Sequence, residues 1–274
     1  MKPLSPSAIR TFRKNIYDYY RANGRDLPWR KTKNPYRILI SEVMLQQTQV
    51  ERVIGKYGEF LAAFPDFHAL AEAPLPRLLR LWQGLGYNRR ALMLRSLAQR
   101  IVGEHGGRLP SDPEILIGLP GIGPYTQGAV MAFAFNKPVV FLDTNIRRVY
   151  IDAFFPAREK IRDGELVPLL RQTLDARNPR KWYNALMDYG AMLKQSRGNA
   201  NKRSAHYSRQ GPFENSDRQV RGRILKALVN ESLLSAARIA QETGLDAATV
   251  KKNLIALEKE AFIEKRGRCY LIPE

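Results

Sequence analysis

"LPGIGPYTQGAV" (residues 119–130) lies between two apolar segments, "DPEILI" before it and "MAFAF" after it, and reads as helix, tight glycine turn, helix. Gly121 and Gly123 allow positive φ and close backbone approach. Leu119 and Ile122 can anchor the turn to a core, and Pro124 suits the first turn of the second helix. That helix would then turn several N–H groups outward, a ready seat for an anion such as a phosphate. A plain αα-corner would use the same residues, so the rest of the chain has to choose between them.

Charge favours the phosphate. The chain has 274 residues, with 45 Lys and Arg against 26 Asp and Glu, a net +19. Such an excess implies a polyanionic partner, most simply nucleic acid. No strongly basic amphipathic helix suggests docking on an anionic membrane, and no apolar run approaches the roughly 20 residues that span a bilayer. The opening "MKPLSPSAIRTFRKNIYDYY" has no apolar stretch of a secretory signal, so a cytoplasmic protein is expected; with a nucleic-acid partner it would be nucleoid-associated, and a monomer is the state expected. A single cysteine, Cys269, excludes a disulfide framework and a four-cysteine iron–sulfur cluster. With only His68, His105 and His206 besides, no metal site is expected.

Most of the chain reads as helix. "PSAIRTFRKNIYDYYRANG" spaces Ile9, Phe12, Ile16, Tyr19 and Tyr20 at helical intervals, and residues 75–107 give two helices broken at "GLGY". "KQSRGNANKRSAHYSRQGPFENSD" (194–217) is polar and basic, a long loop leading to a linker near residues 211–216. Three compact helices follow, with Ser235 and Asp246 as N-caps, then a hairpin turning at Arg266 and Gly267. Residues 215–274 therefore read as a winged-helix-like domain, the alternative being a helical protein-interaction module. They hold 11 basic and 8 acidic residues, leaving +16 of the +19 in residues 1–214.

Two carboxylates stand out. In "PYRILISEVMLQQTQVERVIGKYG", Glu42 interrupts a nearly aliphatic run, an expensive place for an ionised group unless it is paired. Asp143 in "VVFLDTNIRRVYI" follows an apolar segment where it, or Thr144, could cap a helix.

The pieces "LPWR" (27–30), "NPYRILISEVMLQQTQVERVI" (34–54), "LWQGLGYNRRA" (81–91), "LPGIGPYTQGA" (119–129), "LDTNIRRV" (142–149) and "ALMDYGAM" (185–192), in this order, resemble the MutY-type adenine DNA glycosylases. These belong to the helix-hairpin-helix superfamily with endonuclease III, and the resemblance spans about residues 10–193. It implies a mainly α, two-lobed fold: a six-helix barrel over 28–136, and a second lobe from 1–27 and 137–210. It makes Glu42 the acid that protonates the target purine, Asp143 the carboxylate facing the oxocarbenium-like sugar, and Tyr125 and Asn145 their orienting partners. A lysine stands at position 125 in the lyases of the superfamily, so Tyr125 implies a monofunctional glycosylase. Trp29, Arg30, Leu45, Gln47 and Asp188 match the pocket for the extruded adenine. Tyr87 and Gln46 match residues that enter or fill the base stack. Thr48, Leu85, Gly121, Ile122, Gly123, Lys194 and Arg197 match further contacts to double-stranded DNA.

The sequence departs from the family in two places. "GAMLKQSRGNANKRSAHY" lacks the cysteines that usually follow "GAM", although Lys194, Arg197, Lys202 and Arg203 could still meet phosphates. The MutT-like domain that recognises 8-oxoguanine is replaced by the smaller C-terminal module. The function expected is base excision of adenine from A:8-oxoguanine or A:G pairs. The alternatives are a glycosylase for hypoxanthine, alkylated purine, uracil or mismatched thymine, and a non-catalytic DNA-binding regulator, against which the joint presence of Glu42, Tyr125, Asp143 and Asn145 argues.

Overall fold

The computed structural model describes residues 3–209, 211–214 and 216–274; Met1, Lys2 and Gln210, in the expected second lobe, and Asn215, at the expected linker, lie outside the described residues. In chain order the helices are α1 (Pro6–Asn23), α2 (Pro35–Leu45), α3 (Val50–Ala63), α4 (Phe67–Ala71), α5 (Leu75–Trp82), α6 (Arg89–His105) and α7 (Pro113–Ile117). Then come α8 (Pro124–Phe133), α9 (Thr144–Phe154), α10 (Asp163–Thr173), α11 (Pro179–Ser196), α12 (Asp217–Asn230), α13 (Ala236–Thr243) and α14 (Ala247–Lys259). Short 3₁₀ turns fall at Pro28–Arg30 and Ala200–Arg203, and the strands are β1 (Leu234–Ser235), β2 (Glu264–Arg266) and β3 (Cys269–Leu271). The chain is mainly α with a small C-terminal sheet, as its periodicity predicts.

Two compact units form. The first holds residues 1–42, 111–118 and 122–209. This grouping is not that of the expected lobes: residues 28–42, 111–118 and 122–136 fall with 137–209. Its centre is α11, against which α1, α8 and α9 pack. Ser5 caps α1 by accepting the Ala8 N–H, and the Phe12 ring meets Tyr150, Phe154 and Trp182 at centroid distances of 5.4, 5.0 and 6.1 Å. Gly190 of α11 is required by close approach: a Cβ there would lie 2.4 Å from the Asn145 carbonyl oxygen of α9.

The second unit holds residues 43–110, 119–121 and 210–274. Here α4 packs on α6 and α3 on α5, around Phe60, Phe64 and Trp82. Gly121 takes φ +75°, and a Cβ on it would press to 2.9 Å from Cβ of Met93, so both the angle and the space call for glycine. Gly123 corrects the expectation for its partner. Its φ is −96°, and nothing lies within 4 Å of where its Cβ would be.

In the C-terminal module α12, α13 and α14 enclose Ile224, Leu228, Ile239, Val250, Leu254 and Leu257. Ser235 and Asp246 cap α13 and α14, and the sheet order is β1-β3-β2 with Leu234 opposite Tyr270 and Glu264 opposite Leu271. The hairpin turns through Gly267 at φ +61°. Along α12, Ile224, Leu225, Ala227, Leu228 and Val229 are all buried, more than one face of a small helical module uses. The second face packs on α5, where Arg80 donates to the Val229 carbonyl at 2.8 Å.

Candidate active site

Glu42 lies near the end of α2, whose start Asn34 caps by accepting the Arg37 N–H at 3.1 Å. It is 5 % exposed. Tyr125, in the first turn of α8, donates its hydroxyl to Glu42 Oε2 at 2.9 Å. Burial raises the Glu42 carboxyl to about 7; the Tyr125 hydrogen bond pulls it down, the negative charge of Asp143 pushes it up, and Arg30 pulls it down. Burial and the two neighbouring carboxylates hold the Tyr125 phenol well above its ordinary value, so Tyr125 acts as a fixed donor.

Asp143 caps α9, as its position predicts. Its Oδ1 accepts the Ile146 N–H at 2.6 Å and its Oδ2 accepts Asn145 Nδ2 at 3.1 Å. Burial raises its carboxyl, opposed by these hydrogen bonds and by Arg147. Thus Glu42, Tyr125, Asp143 and Asn145, drawn from three helices of the first unit, form one hydrogen-bonded and electrostatically coupled group.

Asn145 is in turn held by Arg148, a residue the sequence reading did not single out. Arg148 is 4 % exposed; its Nη1 donates to Asn145 Oδ1 at 3.0 Å and to the Gly190 carbonyl at 2.7 Å, while Nε reaches Asn199 Oδ1 at 3.2 Å. Asn201 Nδ2 donates to the Thr144 carbonyl at 2.7 Å, and Ile161 bridges to Ser204. The segment that read as a plain loop is therefore stitched to the mouth of α9. Arg203 corrects the phosphate expectation. Its guanidinium turns inward to the carbonyls of Phe155 and Pro156, whereas Lys194, Lys202 and Arg197 stay exposed, the last paired with Asp152 at 3.2 Å. One cysteine cannot supply four thiolates, and among the described residues no group of three or more His, Cys, Asp or Glu could hold a metal ion. The donor set does not fit the cluster that the family resemblance implies.

Asp188, on α11, is 1 % exposed at its side chain and meets Arg30 through two hydrogen bonds of 2.8 Å. It also accepts the Arg25 N–H at 2.9 Å and Arg25 Nε at 2.6 Å. Burial pushes its carboxyl up, but Arg30 and Arg25 outweigh that and hold it below its ordinary value. With both oxygens engaged, Asp188 anchors Arg30 and the strap that carries the buried Trp29. Arg25 was not legible as its partner.

In the second unit Leu45 and Gln46 are half-buried and Gln47 is exposed at φ +54°. Leu85, expected as a DNA contact, is 3 % exposed and packs inward; the glycines beside it turn the backbone so that it anchors the turn. Arg90 ties the region together, donating to the carbonyls of Val43, Met44 and Gln46 at 2.7, 2.9 and 2.8 Å and to Thr48 Oγ1 at 3.0 Å. Burial lowers its guanidinium to about 10. No side chain caps α8, whose first turn follows the buried Ile122.

A buried acid near neutrality, a second carboxylate capping a helix, and a helix–glycine turn–helix unit define the class of base-excision DNA repair glycosylases. Residues 40–165 match the HhH-GPD superfamily of base excision DNA repair proteins. The adenine DNA glycosylase of Mycobacterium tuberculosis is 35% identical over 236 residues, covering 78% of this chain and 77% of that one. The chain belongs to this superfamily, in its adenine glycosylase branch. The adenine DNA glycosylase of Buchnera aphidicola (subspecies Baizongia pistaciae) is 39% identical over 187 residues, 66% of this chain but only 52% of that protein, so the chain spans about half the length of this relative. A solved thermostable thymine-DNA glycosylase superposes with a TM-score of 0.63 at 29% identity, covering 70% of this chain and 90% of the other.

Proposed function

We propose that this chain is a monofunctional DNA glycosylase that releases adenine mispaired with guanine or 8-oxoguanine. The observation that carries the reading is Glu42, buried, raised to about 7, and hydrogen-bonded by Tyr125 beside Asp143. The target base leaves the stack; Trp29 and Arg30 hold it, Leu45 and Gln47 are further contacts to it, and Tyr87 and Gln46 fill the gap left in the duplex. Lys194, Arg197 and the α8 turn meet phosphates. Glu42 gives its proton to adenine N7, the C1′–N9 bond breaks with its electron pair going to the base, and neutral adenine departs. The oxocarbenium-like sugar is stabilised by the Asp143 carboxylate. Water then adds to C1′ and loses a proton to the Glu42 carboxylate, which restores the acid and leaves an abasic site. No lysine stands at position 125 to form a Schiff base, and no iron–sulfur cluster takes part. The protein acts as a monomer on duplex DNA in the cytoplasm.

A second reading, a mismatched thymine as target, is supported by the likeness to the thymine-DNA glycosylase. Incubation with duplexes carrying A:8-oxoguanine, A:G, T:G, uracil or hypoxanthine, followed by alkali cleavage, separates the two. Strand breaks at adenine in the first two support the main reading, and breaks confined to T:G support the second.

A further inference from the structure

The turn between α5 and α6 carries an unusual backbone: Gly84, Gly86 and Tyr87 all take positive φ, +90°, +69° and +47°. Glycine adopts such angles freely and tyrosine rarely does, so its surroundings must hold Tyr87 there. Two guanidinium groups lie over its ring, Arg90 at 5.7 Å and Arg218 at 5.6 Å from the centroid. Arg90 belongs to the adjacent helix and fixes the turn through the carbonyls of Leu85 and Gly86, at 2.9 Å each. Arg218 comes from the first turn of α12, 131 residues further along the chain, and its Nη1 donates to the Tyr87 hydroxyl at 2.7 Å. Its Nη2 donates to the carbonyls of Gly211 and Pro212, at 2.8 and 3.2 Å.

An arginine that only added positive charge for a DNA strand would keep its guanidinium in water. Arg218 is half-buried instead, with donors engaged by one hydroxyl and two carbonyls. The α12 from which it reaches is itself packed on α5, the helix that leads into the turn. The C-terminal module therefore touches this region at two places, with a helix face on α5 and with one side chain on the turn itself.

We propose that Arg218 is a positioning residue for Tyr87, and that the winged-helix-like module takes part in extruding the target base as well as in holding duplex. This rests on the reading of Tyr87 as the residue that enters the base stack. A ring that is already oriented loses little side-chain freedom when it inserts, and Arg218 supplies that orientation from outside the turn.

The test uses the full chain and the variants R218A, R218K, Y87F and R218A/Y87F. The target adenine is replaced by 2-aminopurine opposite guanine, whose fluorescence reports extrusion without chemistry, and adenine release from A:G duplex is followed in parallel under single turnover. R218A should lower the extrusion amplitude and the release rate by about tenfold while duplex affinity weakens by less than about threefold. R218K should recover only part of the loss, because one ammonium cannot serve the hydroxyl and the carbonyls together. The double variant should be no worse than R218A alone, since both remove one contact. Y87F deletes a single oxygen and carries the test should R218A fail to fold. Wild-type extrusion in Y87F and R218A, or losses that multiply in the double variant, would overturn the proposal, as would weakened affinity with unchanged extrusion. If the wild-type protein releases no adenine, the proposed function fails, and the 2-aminopurine signal still decides the role of Arg218.

Discussion

Tyr125→Phe isolates the bond that tunes the acid. The phenol hydroxyl donates to Glu42 Oε2 at 2.9 Å, and this bond pulls the carboxyl down against the burial that raises it to about 7. A hydrogen bond to a charged group has a net worth of about 1.5 kcal/mol, and one pH unit corresponds to about 1.4 kcal/mol. The bond favours the ionised carboxylate, so removing it lets Glu42 keep its proton to higher pH, by about one pH unit. The acid works protonated, so base release should fall as pH rises through the Glu42 pKa. In the wild-type protein that falling limb should lie near pH 7. In Tyr125→Phe it should lie about one unit higher, measured as adenine release from A:8-oxoguanine duplex at subsaturating enzyme, where the free protein's ionisations are reported. Phenylalanine keeps the ring that packs at 5.9 Å from Phe141, so the site does not collapse. A limb that stays in place or moves toward acid would refute the reasoning.

Asp188→Asn leaves Arg25 and Arg30 facing a neutral amide, and breaking a buried ion network of this kind costs about 3–5 kcal/mol, read from the urea midpoint at neutral pH. Because the Asp188 carboxyl is held below its ordinary 3.8, its contribution is complete above that pH and is lost as pH falls further, so the gap between the two proteins should close in acid. Borohydride should not trap the protein on duplex DNA, since Tyr125 offers no amine; a stable covalent complex would mean that another amine attacks the sugar. Lys251 and Arg268 are exposed on α14 and in the hairpin turn. Changing both to alanine should lower the slope of log affinity against log salt by up to about 2 if the module meets phosphates, and an unchanged slope would exclude that.

Local signals carried much of the fold. Ile9, Phe12 and Ile16 mark α1 by spacing alone, Ser235 and Asp246 mark their helices by capping chemistry, and Gly267 marks the hairpin. Glu42 was legible because a carboxylate among aliphatic residues needs a reason. Asp143 was legible because a cap side chain needs only the next three residues. What could not be read depends on partners far apart in sequence. Arg25 and Asp188 meet across 163 residues, Arg148 and Asn199 across 51, and Arg80 and Val229 across 149. The same limit hid the inward turn of Arg203, whose carbonyl partners exist only once α9 has ended. Gly123 misled for a different reason: a glycine in a turn permits positive φ without requiring it.

The role of Glu42 as the acid is decided by adenine release from wild-type protein and Glu42→Gln, in single turnover on A:8-oxoguanine, A:G and A:T duplexes, with duplex affinity measured alongside. Wild type should leave alkali-labile sites on the two mispairs. Release should be slower by at least about 100-fold in Glu42→Gln, with duplex binding retained, because glutamine keeps the shape but has no proton to give. Release by Glu42→Gln within a few-fold of wild type would contradict that role.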